Sequence, residues 1–169
     1  MSDIVMGKDC VLAYFPAASF ASPTYAEIEN AKDVSQPGVT KNSVSLASRG
    51  SAGWDLKGAG LRSMDLQFSY LYEAGDAVGG VLRDSFLNDT DLGFAVLSGP
   101  ANGTFPAGIT PYDVEGWKFV GQVLEFATTE DLEDAKMIDV KVEASFFKLN
   151  GSLMLPTWVT ISGSNGSGS

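Results

Sequence analysis

The chain has 169 residues, 44% of them hydrophobic and 19% charged, with 21 acidic side chains against 11 basic ones and no histidine. That size suits one domain with a real core, and a net charge of −10 leaves no basic stripe to neutralise the phosphates of a nucleic acid or an anionic membrane surface. The missing histidine removes the commonest general base near neutral pH and the commonest metal ligand, while a single cysteine excludes an internal disulfide or a thiolate cluster.

Residues 1–8 carry no basic flank followed by an apolar run, so no export signal is expected and folding in a cytoplasm is. No apolar stretch approaches the ~20 residues of a membrane span, so no membrane insertion is expected. Cys10–Tyr14 reads as a first strand with Cys10 as a buried, inert thiol. Phe15–Thr24 is a Pro- and Ser-containing connection. Tyr25–Ala31 alternates weakly and reads as a strand, with a short helix as the alternative. A turn follows around Pro37-Gly38. Asn42–Ser48 alternates again, with Val44 and Leu46 directed inward and Ser43 and Ser45 outward, until Arg49–Trp54 breaks the pattern.

Two later segments alternate for longer than most strands run. In Met64–Tyr72 the even positions are Met64, Leu66, Phe68, Tyr70 and Tyr72, and the odd ones begin Asp65, Gln67 and Ser69. In Lys136–Phe147 the apolar positions are Ile138, Val140, Val142, Ala144 and Phe146, interleaved with Asp139, Lys141, Glu143 and Ser145. Period two sends successive side chains to opposite faces, so each segment has a core face and a wet face. Between them, Asp76 is the expected N-cap of a helix whose Val78, Val81, Leu82 and Phe86 recur at helical spacing before Asn88. Gly79 and Gly80 each weaken that helix by about 1 kcal/mol relative to Ala, so packing against a sheet must hold it. Leu92–Leu97 is another strand, Ser98–Pro111 a Gly/Pro/Asn loop, and Trp117–Ala127 a third long strand with a bulge expected at Gly121. Thr128–Asp134 is an acidic hairpin connection and Trp158–Ile161 a last short strand. Residues 1–161 are expected to form one domain, and Ser162–Ser169 reads as a flexible tail or linker outside it.

Catalytic chemistry finds no residue set. Glu130, Asp131, Glu133 and Asp134 lack the spacing and the turn glycine of a calcium loop, and read as a solvated acidic turn. Gly75, Gly79 and Gly80 open the helix, yet no Lys-Ser/Thr pair follows as a phosphate loop requires. Trp54, Trp117, Tyr70 and Tyr72 are more easily core fillers than a stacking platform. The expectation is a mainly β protein that is not an enzyme and holds no metal or cofactor.

One set of segments carries a resemblance. Tyr25–Val34, Ser48–Trp54, Asp84–Thr90 with Leu92–Leu97, Thr129–Val142 and the Trp158–Ile161 ending follow one another, over most of residues 9–161, as they do in the major tail (tail tube) proteins of long-tailed bacteriophages, which this chain resembles. The resemblance implies a β-sandwich or half-barrel with one flanking helix. Its subunits form rings of six that stack into a tube, their long strands building a shared inner barrel through which DNA passes without specific binding. The implied setting is the virion tail, alongside other tail proteins, with assembly in the host bacterial cytoplasm. On that reading Asp65, Gln67, Ser69, Asp139, Lys141, Glu143 and Ser145 face the lumen. Glu130, Asp131, Glu133, Asp134, Asn102 and Gly103 lie in loops that join rings or subunits. A tube protein of a related injection device and a monomeric β-sandwich binding module using Trp54, Trp117 and the Ser98–Pro111 loop are the alternatives.

Overall fold

A computed structural model describes residues 10–35, 38–45, 57–129 and 136–166. Its strands are β1 (Val11–Pro16), β2 (Ala26–Glu27), β3 (Ala31–Lys32), β4 (Gly38–Ser45), β5 (Lys57–Leu71), β6 (Leu92–Leu97), β7 (Thr104–Phe105), β8 (Val114–Thr129), β9 (Met137–Ala144), β10 (Lys148–Leu149), β11 (Ser152–Leu153), β12 (Thr157–Ile161) and β13 (Ser164–Asn165). One α-helix, α1 (Ala77–Asn88), lies between β5 and β6. Nine strands hydrogen-bond into a single antiparallel sheet in the order β2-β1-β6-β8-β9-β5-β3, with β12 added to the start of β8 and β4 to the start of β5. This is the mainly β architecture with one flanking helix that the alternation called for.

Alternation sets the core. Met64, Leu66, Phe68 and Tyr70 of β5 and Ile138, Val140 and Val142 of β9 are all buried, and they share one cluster with Leu82 of α1 and Leu12, Phe94 and Phe119. Each such side chain contributes about 1.5–3 kcal/mol by leaving water. β6 differs: all six of its residues are buried. Leu92, Phe94 and Val96 enter the first cluster, while Ala95 and Leu97 enter a second with Phe15, Phe20, Phe105, Val114 and Val120. An unbroken apolar strand is what burial on both faces requires. Helix α1 starts where expected, because the Asp76 carboxylate accepts a hydrogen bond from the Val78 amide at 3.0 Å. It ends at Asp89, in the left-handed conformation with φ 52°.

Several expectations are corrected. Tyr25–Ala31 is interrupted, forming only the two-residue strands β2 and β3. The bulge in β8 falls between Val123 and Glu125, and Gly121 pairs regularly with Ala144. Gly121 is needed for another reason: a Cβ there would sit 2.7 Å from the Glu143 carbonyl oxygen. Val44, expected inward, is 50% exposed, because β4 pairs only with β5 and nothing described covers it. Tyr72 and Phe146 continue the parity of a core face but lie beyond β5 and β9 and are exposed. Cys10 is half-buried just before β1. The segment read as a tail is partly strand, since β13 pairs in parallel with β7 and Gly163 packs against the Tyr112 backbone. Leu46, Arg49–Trp54 and the acidic loop Glu130–Asp134 lie outside the described residues.

Lys118 anchors the second cluster in an unexpected way. It is 8% exposed, donates from Nζ to the Phe20 carbonyl at 2.8 Å, and lies 4.4 Å from the centroid of the Phe20 ring. The carbonyl and the ring face offset part of the desolvation of the cation. Burial holds its pKa below the ordinary 10.5. The unfolded chain therefore binds the proton more tightly than the folded one, so stability rises with pH through the depressed pKa and levels off near the unfolded value. Burial raises the Tyr25 pKa above 10.0, which acts in the opposite direction above that pH. Urea midpoints measured across the alkaline range should show a rise in the wild type relative to Lys118→Met, in which that contribution is absent. Identical pH profiles would contradict it.

Candidate functional site

The polar face of the long strands is built by register. In β5 and β9, Asp65 stands opposite Glu143, Gln67 opposite Lys141 and Ser69 opposite Asp139. On the other side of β9, β8 sets Gln122 opposite Glu143 and Glu125 opposite Lys141. Cross-strand partners share a face, so Asp65, Gln67, Ser69, Gln122, Glu125, Asp139, Lys141 and Glu143 form one polar surface over three adjacent strands. Asp33, held at φ 52°, joins Gln67, Ser69, Glu125, Asp139 and Lys141 around a shallow depression of about 290 Å³.

Electrostatically this surface is anionic. Five carboxylates, Asp33, Asp65, Glu125, Asp139 and Glu143, outnumber two cations, Lys141 and the exposed Lys32, which stands opposite Ser69 on β3. Lys141 Nζ lies 3.3 Å from Glu143 Oε1, and the Ser69 hydroxyl donates to Asp139 Oδ1 at 2.7 Å. Asp65 directly opposite Glu143 is a like-charge pair, unfavourable by a few tenths of a kcal/mol or more. A surface that keeps such a pair across its strands is not optimised for the stability of the isolated subunit.

Of the residues expected on this surface, Asp65, Gln67, Ser69, Asp139, Lys141 and Glu143 are brought together. Ser145 lies past the end of β9, where its hydroxyl donates to Asp91 Oδ1 at 2.7 Å and its amide to the Val120 carbonyl at 3.0 Å. Gln122 also donates to Asp91, at 3.2 Å. Sequence reasoning missed Glu125, Gln122 and Asp33. Glu125 was hidden because the bulge shifts the parity of β8 just before it. Asn102 and Gly103 lie elsewhere: the Asn102 side chain accepts from the Thr104 amide at 3.0 Å, and the buried Gly103 receives the Ser164 amide on its carbonyl at 2.8 Å. Trp117 is half-buried, with Trp158 edge-on at 5.5 Å, and lines a cavity of about 660 Å³ with Met64, Phe146, Met154 and Leu155.

Two strand edges bound the polar surface. Among the described residues β4 pairs only with β5, and β8 beyond Gly121 pairs only with β9. The surface is thus a strip of β5, β9 and β8 whose β5 side is bordered by β4 at Lys57–Asp65 and by β3 at Ser69–Tyr70, and among the described residues nothing pairs with the outer sides of β4 and β3 or of β8 beyond Gly121. Long open edges are an association hazard unless something pairs with them.

No protein-family model and no curated protein sequence matches the chain. Solved structures do. The tail tube of SPP1, determined by solid-state NMR and cryo-EM, superposes with a TM-score of 0.62 at 13% identity over 97% of this chain and 82% of that one. The tail of an empty gene transfer agent (GTA) particle, refined with C6 symmetry, gives 0.59 at 16% identity over 88% of this chain and 96% of that one. A chain of the anti-feeding prophage (AFP) baseplate, symmetrised sixfold, gives 0.61 at 8% identity over 94% of this chain and 97% of that one. The chain has the fold of phage tail-tube proteins.

Proposed function

We infer that the chain is a structural subunit of a phage tail tube. Copies join side by side into rings of six, the rings stack, and the polar strip lines a bore through which DNA passes without being held. The observation that carries this reading is the anionic strip with an unpaired edge on each side. The directions of the strands agree with it. β4 is antiparallel to β5, β5 to β9 and β9 to β8, so β4 of one copy meets β8 of the next antiparallel, and the alternation closes at any copy number. Four strands from each of six copies, spaced ~4.8 Å and tilted ~40°, make a barrel roughly 45–50 Å across, an open channel and not a packed core. Closure also removes both exposed edges.

Anionic walls suit a conduit, because each Lys–phosphate contact would retain DNA in a salt-dependent way. Contacts between rings and subunits are assigned to the loops at Glu130, Asp131, Glu133 and Asp134 and at Asn102 and Gly103. The subunit works in the virion tail with other tail proteins after assembly in the bacterial cytoplasm. Electron microscopy of the purified protein at rising concentration tests the reading: stacked rings with a central bore are expected. A monomer that persists at every concentration would overturn it.

A further inference from the structure

The two edges of the strip each carry a defined register. On the β4 side, Gly38 stands opposite Asp65, Val39 opposite Met64, Thr40 opposite Ser63 and Lys41 opposite Arg62. Gly38 and Thr40 therefore belong to the polar side of the sheet, where the Thr40 and Ser63 hydroxyls lie 2.8 Å apart, and Val39 and Lys41 belong to the other. On the β8 side, Gln122, Glu125 and Ala127 stand, through Glu143, Lys141 and Asp139 of β9, level with Asp65, Gln67 and Ser69 of β5. These are polar-side positions of the edge beyond Gly121, while Val123 and Phe126 pack on the core.

Three constraints act on how these edges meet in a ring. Period two is the first. A joint slipped by one residue would bring Val39 and Lys41 to the polar side, so Thr40 must face the position of Gln122, Glu125, Ala127 or Thr129. β6 is the second. It pairs with β8 from Gly121 to Gly116, and all six of its residues are buried. With Thr40 facing Gln122, Lys41 would stand at Gly121, in the place of Leu92. With Thr40 facing Glu125, Gly38–Lys41 lie clear of β6, and the irregularity between Lys41 and Ser43 falls where β4 must turn off the edge. Bulges bend strands in this way. Tilt is the third. Copies in a flat ring sit at one height, so the stagger across one copy must match the strand tilt. Ser63, beside Thr40, and Gln67, level with Glu125, are four residues apart on β5. At ~3.3 Å per residue across four strands ~4.8 Å apart, that stagger corresponds to a tilt of about 35°, within the usual ~35–45° of closed barrels. Facing Gln122 demands about 19°, and facing Ala127 or Thr129 about 46° or more.

We propose that Gly38–Lys41 of one copy pairs antiparallel with residues 123–127 of the next, Thr40 directly opposite Glu125, with Leu124 passed over at the β8 bulge. This rests on the ring reading and deepens it, by fixing the register of the joint at a stagger of four residues per copy. Each Glu125 then has Lys141 of its own copy on one side and the neighbour's Thr40 hydroxyl on the other, so the polar surface continues across the joint.

The test uses the full chain and begins with wild-type tubes; their absence would sink the ring reading itself. Given wild-type tubes, cysteines are placed on a Cys10→Ser background at exposed positions. Thr40→Cys with Glu125→Cys, oxidised mildly after assembly, is expected to give a ladder of disulfide-joined copies ending at the closed ring. Residues directly opposite across strands have Cα atoms ~4.5–5.5 Å apart, within reach of a disulfide. Thr40→Cys with Ala127→Cys should leave a monomer band, because a slip of two residues carries the Cα atoms beyond ~7 Å. Assembled tubes that give no ladder from the first pair, or a ladder from the second, would overturn the register and leave the ring reading standing. Should the first double variant not assemble, tubes mixed equally from its two single variants decide: a disulfide-linked dimer supports the register, and monomer alone overturns it.

Discussion

Tubes assembled from a subunit carrying Asp139→Lys and Glu143→Lys are expected to form normally and to retain DNA that wild-type tubes release. The structural loss is small. The Ser69–Asp139 hydrogen bond of 2.7 Å accounts for about 1 kcal/mol. The Lys141–Glu143 pair, with side chains 35% and 48% exposed, accounts for about 0–1 kcal/mol, and removing the Asp65–Glu143 opposition returns part of this. Against a typical stability of ~5–15 kcal/mol, the fold survives. Function should not. The polar surface of each copy carries Asp33, Asp65, Glu125, Asp139 and Glu143 against Lys32 and Lys141, a balance of −3 that the double substitution turns to +1, repeated around every ring of the proposed tube. Each phosphate then neutralised adds about 0.9 to the dependence of log affinity on log salt. DNA retention by purified tubes, measured at falling salt, should rise steeply in the variant and stay flat in the wild type. In virions the same change should impair genome ejection. Unchanged ejection and no salt-dependent retention would place these side chains away from the DNA path.

Gly116→Ala is the substitution expected to damage the fold most. Gly116 lies between two strands, opposite Leu97 of β6 and Val159 of β12. A Cβ there would fall onto the Val96 carbonyl oxygen, within 2.8 Å of the carbonyl carbon and 2.9 Å of the Leu97 Cα. These are backbone atoms of a paired strand, so no rotamer change relieves the overlap. β6 must instead move away from β8, breaking the ladder that runs from Leu92–Gly121 to Leu97–Gly116 and opening both core clusters. Overpacking usually costs about 1–3 kcal/mol, and a clash with fixed backbone belongs at or above the top of that range. A loss of about 3 kcal/mol or more is expected, read as a lowered urea midpoint or as insoluble expression. By contrast, Gly80→Ala should stabilise the dispersed subunit by up to about 1 kcal/mol. A Gly116→Ala variant within 1 kcal/mol of the wild type would mean that β6 and β8 pair differently.

The parts of this protein legible in the residues are those governed by short-range rules. Alternation over Met64–Tyr70 and Ile138–Val142 separates the buried side chains from Asp65, Gln67, Ser69, Asp139, Lys141 and Glu143, because period two is a property of one strand. The Asp76 cap of α1 spans two residues and was equally visible. Composition alone also marked the surface as unfit to hold phosphates. Tertiary structure decided which polar residues share a surface. Glu125 joins Lys141 only through the shifted register after Val123, and Gln122 joins Asp91 across 31 residues of chain. It also decided that Val44 stays exposed, that Ser164 and Asn165 pair with β7, and that Gly116 rather than a turn glycine is under the tightest constraint. Each of these depends on which strand lies beside which. That choice is made by contacts far apart in the chain, which carry no periodic trace in the segment that makes them.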